Sequence, residues 1–207
     1  MRRPFFKKSE TSHPPSEVAQ KATRVAFHDG AVGRDGPVQV SYPDEFTASH
    51  KLWHDTLNAV GVESNDNHLA GSNIGCWTSV VSVDPRTATR SYAATAYYEP
   101  VASRPNLLVL TGAAVEKVLL TKKGDNDEWM AEGVLFSHGG VQFSAFASRE
   151  VIISAGSVQS PQILELSGIG GGDILTAAGI PVKVDNPNVG EHLQDHLSSS
   201  PLISPLN

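Results

Sequence analysis

One cysteine, Cys76, stands in 207 residues, and a single thiol can neither close an intrachain disulfide nor build a thiolate metal cluster. Trp77 follows it and no cation flanks it, so Cys76 reads as a small buried hydrophobe and not as a reactive thiol. Long apolar runs are also missing, since none approaches the ~20 residues that span a bilayer. The start, Met1-Arg2-Arg3-Pro4-Phe5-Phe6, is basic but lacks the apolar stretch of a secretory signal. Positive charge is in deficit, with 16 Lys and Arg against 22 Asp and Glu and a net charge of −6. That balance argues against nucleic acid and against an anionic membrane as partners. Lys7-Lys8 and Lys122-Lys123 are isolated pairs and read as solvated surface.

Several chemistry-bearing motifs are absent too. No Gly-x-Gly-x-x-Gly stands between a strand and a helix, so the usual dinucleotide phosphate cradle is not in this sequence. Gly168-Ile169-Gly170-Gly171-Gly172-Asp173 imitates it, but the third glycine is misplaced and a helix, not a strand, is expected before it. There is no phosphate-binding Gly-Lys-Ser/Thr loop and no Gly-x-Ser-x-Gly elbow. Asp29, Asp35, Asp125, Asp127 and Asp173 stand singly and read as turn formers, without the paired acid and base of a glycosidase. His192 and His196 are four apart, a spacing that would put both on one helix face. They lie between Pro187-Asn188-Val189-Gly190 and Pro201, where a long helix is not expected, so they read as structural hydrogen-bonding residues and not as metal ligands. His13, His28, His50, His54, His68 and His138 are scattered in polar stretches. No residue is assigned to catalysis or to a metal.

What is present is ordinary in bulk: 40% hydrophobic and 18% charged residues, enough length for one good core or for parts of two domains. Residues 1–36 are polar and turn-rich. Val38 to Tyr42 alternates with period two and predicts a half-exposed strand stopped by Pro43. Leu52, Trp53, Leu57 and Val60 recur at helical spacing from Thr47 to Val60, and Gly61 is the expected stop. Ser91 reads as the N-cap of a helix over Tyr92–Glu99 closed by Pro100.

After Arg104-Pro105-Asn106 the character changes. Leu107–Leu110 and Val115–Leu120 predict strands, and Gly133–Phe136 with Val141–Phe143 predicts an antiparallel pair around Gly139-Gly140. Val151-Ile152-Ile153 is apolar without alternation, the pattern of a strand covered on both faces. The first half therefore reads as α+β, and the second as an α/β layer with a small antiparallel excursion.

The most informative stretch runs from Gly156 to Gly170. It reads as a tight turn and a short helix, with Ser160 as N-cap and Pro161 at the first helical position. On spacing alone, two readings stand: a plainly capped helix, or a helix N-terminus whose amides approach a phosphate or ribose.

Gly156 to Gly170, with its glycine, small residue, Ser-Pro, paired aliphatics and Ser-Gly-aliphatic-Gly in register, resembles the second signature of the glucose-methanol-choline (GMC) oxidoreductases. Phe5 to Glu10, Arg90-Ser91 through Tyr97 and Pro100, Arg104 to Leu107, Gly179 to Val182 and Val189 to His196 resemble further segments of that family in the expected order. The resemblance is closest to fungal members of the aryl-alcohol oxidase and glucose oxidase type. It implies FAD as cofactor, a small-molecule alcohol as substrate, and a partial, Rossmann-like FAD-binding domain with part of a substrate-binding domain. Residues 1–103 would be mostly substrate-domain, 104–196 FAD-binding, and 197–207 the start of a second substrate-domain segment. Val115 matches the position whose backbone grips the adenine, and Ala155, Gly156 and Ser157 match the turn near the cofactor.

The family's glycine fingerprint and its catalytic histidine segment have no counterpart in these residues. The chain is thus expected to be an internal piece of a longer FAD-dependent enzyme, holding FAD poorly and turning over nothing by itself. The alternative is a catalytically inactive remnant with a structural or interaction role. Compartment is left open, a secreted parent being one option.

Overall fold

The chain divides into two units, Met1–Leu108 and Val109–Asn207, in a computed structural model that describes residues 4–23, 25–124 and 128–195. In the first unit, α1 (Pro4–Ser9) begins on a proline, whose missing N–H costs nothing at the first helical position. It leads into β1 (Glu10–Ser12); α2 (Glu17–Thr23) and a 3₁₀ turn over Asp29–Ala31 follow, and the chain returns as β2 (Val38–Val40), parallel to β1. The return loop passes so near β1 that a Cβ on Gly36 would lie 2.1 Å from the Glu10 backbone nitrogen. Only glycine closes that loop.

α3 (Ala48–Ala59) forms as its spacing predicts, with the Thr47 side chain accepting from the His50 N–H and the helix ending before Gly61. Ser41 exchanges two backbone hydrogen bonds with Val81, at 3.0 and 2.8 Å, which ties β2 to the segment leading into β3 (Val83–Asp84). β3 pairs with β4 (Thr89–Arg90) across a turn in which Arg86 donates two side-chain hydrogen bonds and one backbone hydrogen bond to Asp84. Those bonds favour the ionised carboxylate and hold the Asp84 pKa down to about 2. Val32, Val40, Tyr42, Cys76 and Ala96 are buried. Cys76 is buried as expected, its Sγ 3.2 Å from His54 Nδ1, with His54 Nε2 facing Thr78 Oγ1 at 3.3 Å.

The second unit is built on an antiparallel sheet, β5 (Ala113–Lys122), β6 (Trp129–His138) and β7 (Val141–Phe146), in that spatial order. Gly139 and Gly140 both take positive φ, 59° and 80°, between β6 and β7. This is the two-residue turn whose twist matches a hairpin. α4 (Gly156–Leu166) packs on β5; β8 (Ile169–Gly170), α5 (Gly172–Ala177) and β9 (Val184–Asp185) then form a small parallel β-α-β turn. Helix and strand are mixed in both units, in agreement with the α/β plus α+β expectation.

Several local expectations fail. Val151-Ile152-Ile153 and Leu107–Leu110 are not paired strands; Ile152 is 76% and Leu108 90% exposed. A strand needs a neighbour to take its hydrogen bonds, and among the described residues neither run has one. Ser91 does not cap a helix: its hydroxyl accepts from the Gln39 N–H at 2.8 Å, and the following segment is a π turn, Ala94–Tyr98, with a 3₁₀ turn, Glu99–Val101. The Thr95 hydroxyl takes the cap's task, accepting from the Tyr92 N–H at 3.1 Å. α4 begins four residues before Ser160, with Ala155 at the N-cap and Pro161 inside the helix. The Gly168–Asp173 stretch, by contrast, is preceded by a helix, α4, as expected, and itself contains the two-residue β8.

Candidate functional site

Ser167 joins the two walls of the site. It sits just beyond α4, buried; its hydroxyl donates to the Ile163 carbonyl at 2.5 Å and accepts from the Val118 N–H of β5 at 2.8 Å. This one side chain satisfies a helix-end carbonyl and a strand-edge amide together. The outer edge of β5 and the side of α4 are thereby held apart as the walls of an open cleft of ≈ 710 Å³, within the range of small-molecule sites.

Which backbone groups face the cleft follows from the strand register. Residues alternate in an antiparallel strand, each sending both its N–H and its C=O to the same side. Val118, opposite Val134, sends its N–H outward to Ser167. By strict alternation Glu116 would do the same and Val115 would turn inward to β6. The register shifts at this point, however: Lys117 lies opposite Leu135 and Val115 opposite Phe136, so Glu116 is the extra residue of a β-bulge. The bulge inverts the phase, and the Val115 N–H and C=O are directed to the outer edge that borders the cleft.

The α4 wall consists of Gln159, Gln162, Ile163 and Leu166, at the i, i+3, i+4, i+7 spacing of one helix face. Ala155 closes one end, its N–H donating to Ser160 Oγ at 3.0 Å. On the β5 side Glu116 and Lys117 add one charge of each sign, and Gln142 Nε2 donates to Glu116 Oε2 at 2.7 Å.

Of the four residues singled out from the sequence, the structure brings Val115 and Ala155 into this cleft, whereas Gly156 and Ser157 are not among its lining residues. Gly156 has φ +87°, and a Cβ there would meet nothing within 4 Å. It is glycine for its backbone angle and not for lack of room. His192 has φ 57° and lies outside any helix; His196 lies outside the described residues. No group of three or more metal-ligating side chains occurs among the described residues, and no helix there is long and apolar enough to cross a membrane. Sequence reasoning missed Glu116, Lys117, Gln159 and Gln162. The two glutamines were detectable as the polar half of a face shared with Ile163 and Leu166; the bulge that re-aims β5 leaves no comparable signal.

A sheet edge that offers an adjacent donor and acceptor suits a flat heterocycle carrying the complementary pair, and amide side chains opposite it suit a polar ligand. The fold is that of a mixed α/β protein, with a cleft whose chemistry suits such a ligand. A family model described as GMC oxidoreductase matches residues 3–198, and the chain belongs to the GMC oxidoreductase family. "Dehydrogenase mpl7" of Monascus purpureus is 40% identical over 200 residues, covering 95% of this chain and 31% of that protein. "GMC oxidoreductase family protein Mala s 12" of Malassezia sympodialis is 33% identical over 98% of this chain and 33% of its own length. Among solved structures, an FAD-dependent oxidoreductase from Chaetomium thermophilum superposes with a TM-score of 0.81 at 37% identity, over 89% of this chain and 31% of that one. A fungal aryl-alcohol oxidase gives 0.80 at 32% identity, over 89% and 30%. The chain spans about a third of the length of the curated relatives it matches. FAD is the cofactor these relationships indicate, as the resemblance implied.

Proposed function

We propose that these residues form part of an FAD-dependent oxidoreductase acting on the CH–OH group of a small-molecule alcohol, and that their cleft takes the adenosine half of the cofactor. One observation carries this reading: the bulge in β5 directs the Val115 N–H and C=O to the open edge beside α4. Adenine carries an acceptor at N1 and a donor at its 6-amino group, the complement of that pair. Gln159 and Gln162 on the α4 wall can donate to or accept from the sugar. The flavin, when bound, would supply the hydride-accepting chemistry.

These residues fit only half of the cofactor. Among the described lining residues Lys117 is the single cation of the cleft, and the sequence carries no glycine cradle for a pyrophosphate. The isolated chain is therefore proposed to bind weakly and to be catalytically silent, with oxidation belonging to a longer polypeptide in which residues 104–196 serve the cofactor and residues 1–103 mostly the substrate side. The aryl-alcohol oxidase likeness at 32% identity supports an alcohol as substrate. A remnant with only an interaction role remains the second reading, favoured by the exposed apolar runs around Leu108 and Ile152.

Ligand-observed NMR on the purified 207-residue chain tests the proposal. ADP and FAD are expected to bind with comparable, weak affinity, and FMN, which lacks the adenosine half, is expected not to bind. Absence of ADP binding would remove the cleft assignment. A chain that purifies yellow and oxidises alcohols unaided would overturn its division from the rest of the catalytic apparatus.

A further inference from the structure

We infer that the Asp29-Gly30 peptide is a site of spontaneous backbone isomerisation, and that the fold protects the second such pair, Asp35-Gly36, from the same chemistry. An aspartate followed by glycine is the pair most open to it, because no Cβ shields the glycine nitrogen. The Gly30 nitrogen attacks Asp29 Cγ, a C–N bond forms, and a carboxyl oxygen leaves as water. The cyclic imide then takes up water at either carbonyl. Opening at the Asp29 main-chain carbonyl breaks its bond to Gly30 and leaves the chain running through the side-chain carbon. The water lost in the first step returns in the second, so the product keeps the atoms of the starting chain, and no oxidant or reductant takes part.

The two pairs are equal in sequence and unequal in surroundings. Attack needs a glycine nitrogen free of other bonds and a peptide able to turn towards the aspartate side chain. Gly36 is buried; its N–H donates to the Glu10 carbonyl at 3.0 Å, and its C=O accepts from Thr11 Oγ1 at 2.6 Å. The tight approach to β1 that requires glycine there also keeps its peptide from turning. Gly30 is exposed, a Cβ on it would meet nothing within 4 Å, and among the described residues no hydrogen bond engages its N–H. Its carbonyl accepts from Lys7 Nζ, the end of a long surface side chain. The turn around it rests on the Ala31 N–H donating to the His28 carbonyl at 2.8 Å and a longer bond from the Val32 N–H to the Asp29 carbonyl at 3.4 Å, so it opens locally at little cost. The Asp29 side chain is 75% exposed, and its ion pair with Arg34, 3.4 Å from Nε to Oδ1, is of the exposed kind that restrains little. Isomerisation adds a carbon to the main chain and re-aims the carboxylate, which undoes both the turn and this pairing.

The experiment incubates the whole chain in neutral buffer, folded and in concentrated urea, with circular dichroism to verify the folded state. Trypsin cuts after Arg34 and so places Asp29 and Asp35 in separate peptides, whose isoaspartyl forms separate by chromatography at unchanged mass. In the folded chain the Asp29 peptide is expected to convert about tenfold faster than the Asp35 peptide, the worth of the two hydrogen bonds that Gly36 must give up. In urea the two rates should converge. Gly30→Ala, whose methyl group has room in the fold, should abolish conversion at Asp29 by crowding the nitrogen, and leave Asp35 unchanged. Equal rates in the folded chain, a faster reaction at Asp35, or no conversion at Asp29 would overturn the inference. A difference that persists in urea would overturn it as well, since local sequence and not the fold would then set the two rates.

Discussion

Ser167 shows how one residue decides whether the cleft exists. Its hydroxyl serves the Val118 amide and the Ile163 carbonyl at once, and the side chain is 3% exposed. An alanine there would leave a buried strand amide without a partner, at a cost of about 1–3 kcal/mol. Ser167→Ala is accordingly expected to lower the urea midpoint with an unchanged m-value. An unchanged midpoint would mean that β5 and α4 are held together by something else. In the sequence this serine is one small residue in a signature, no more conspicuous than Ser157, which lies outside the cleft lining. Its role depends on which residue of β5 arrives opposite it, 49 positions earlier in the chain.

At the scale of elements, helices with sharp stops were the most legible. α3 lies where Leu52, Trp53 and Leu57 placed it, and the β6–β7 hairpin turns on Gly139-Gly140 as expected. Local chemistry suffices for those two: a cap or stop in one case, a two-glycine turn in the other. α4 was misread because Ser160-Pro161 is a strong start signal, yet the helix already begins at Gly156. Ser160 instead accepts from Ala155 behind it, and Pro161 falls in the sixth helical position, unable to donate to the Ser157 carbonyl. Interior proline costs about 3 kcal/mol relative to alanine, offset by about 0.4–1 kcal/mol from a freer unfolded chain. Pro161→Ala should therefore stabilise the chain by roughly 2 kcal/mol, read from the denaturation midpoint. A loss of stability would show that the proline ring packs to an extent that outweighs the missing bond.

Few large apolar side chains are buried among the described residues, and Leu108, Ile152 and Phe146 stand open to solvent. Length alone allowed one good core or parts of two domains; in the described residues much of the apolar content lies on the surface. Such a surface favours association. The purified chain is expected to bind a hydrophobic dye and to elute above its monomer mass on gel filtration. The double substitution Leu108→Ser and Ile152→Ser should reduce both signals. A monomeric chain that ignores the dye would show that these runs are covered in solution.

Family membership, mixed α/β character and FAD as cofactor were all carried by the sequence, because a fifteen-residue signature and its companions in order survive without reference to any contact. The same is true of the lone buried cysteine and the turn glycines, whose behaviour is set by their own chemistry. Tertiary structure alone decided which residues meet. A bulge of one residue at Glu116 reverses the direction of every backbone group on the Val115 side of β5, and it does so through pairing with a distant strand. Apolar runs that look like buried strands became exposed segments for the same reason: a strand is a relation between two stretches of chain, and one stretch cannot specify its partner.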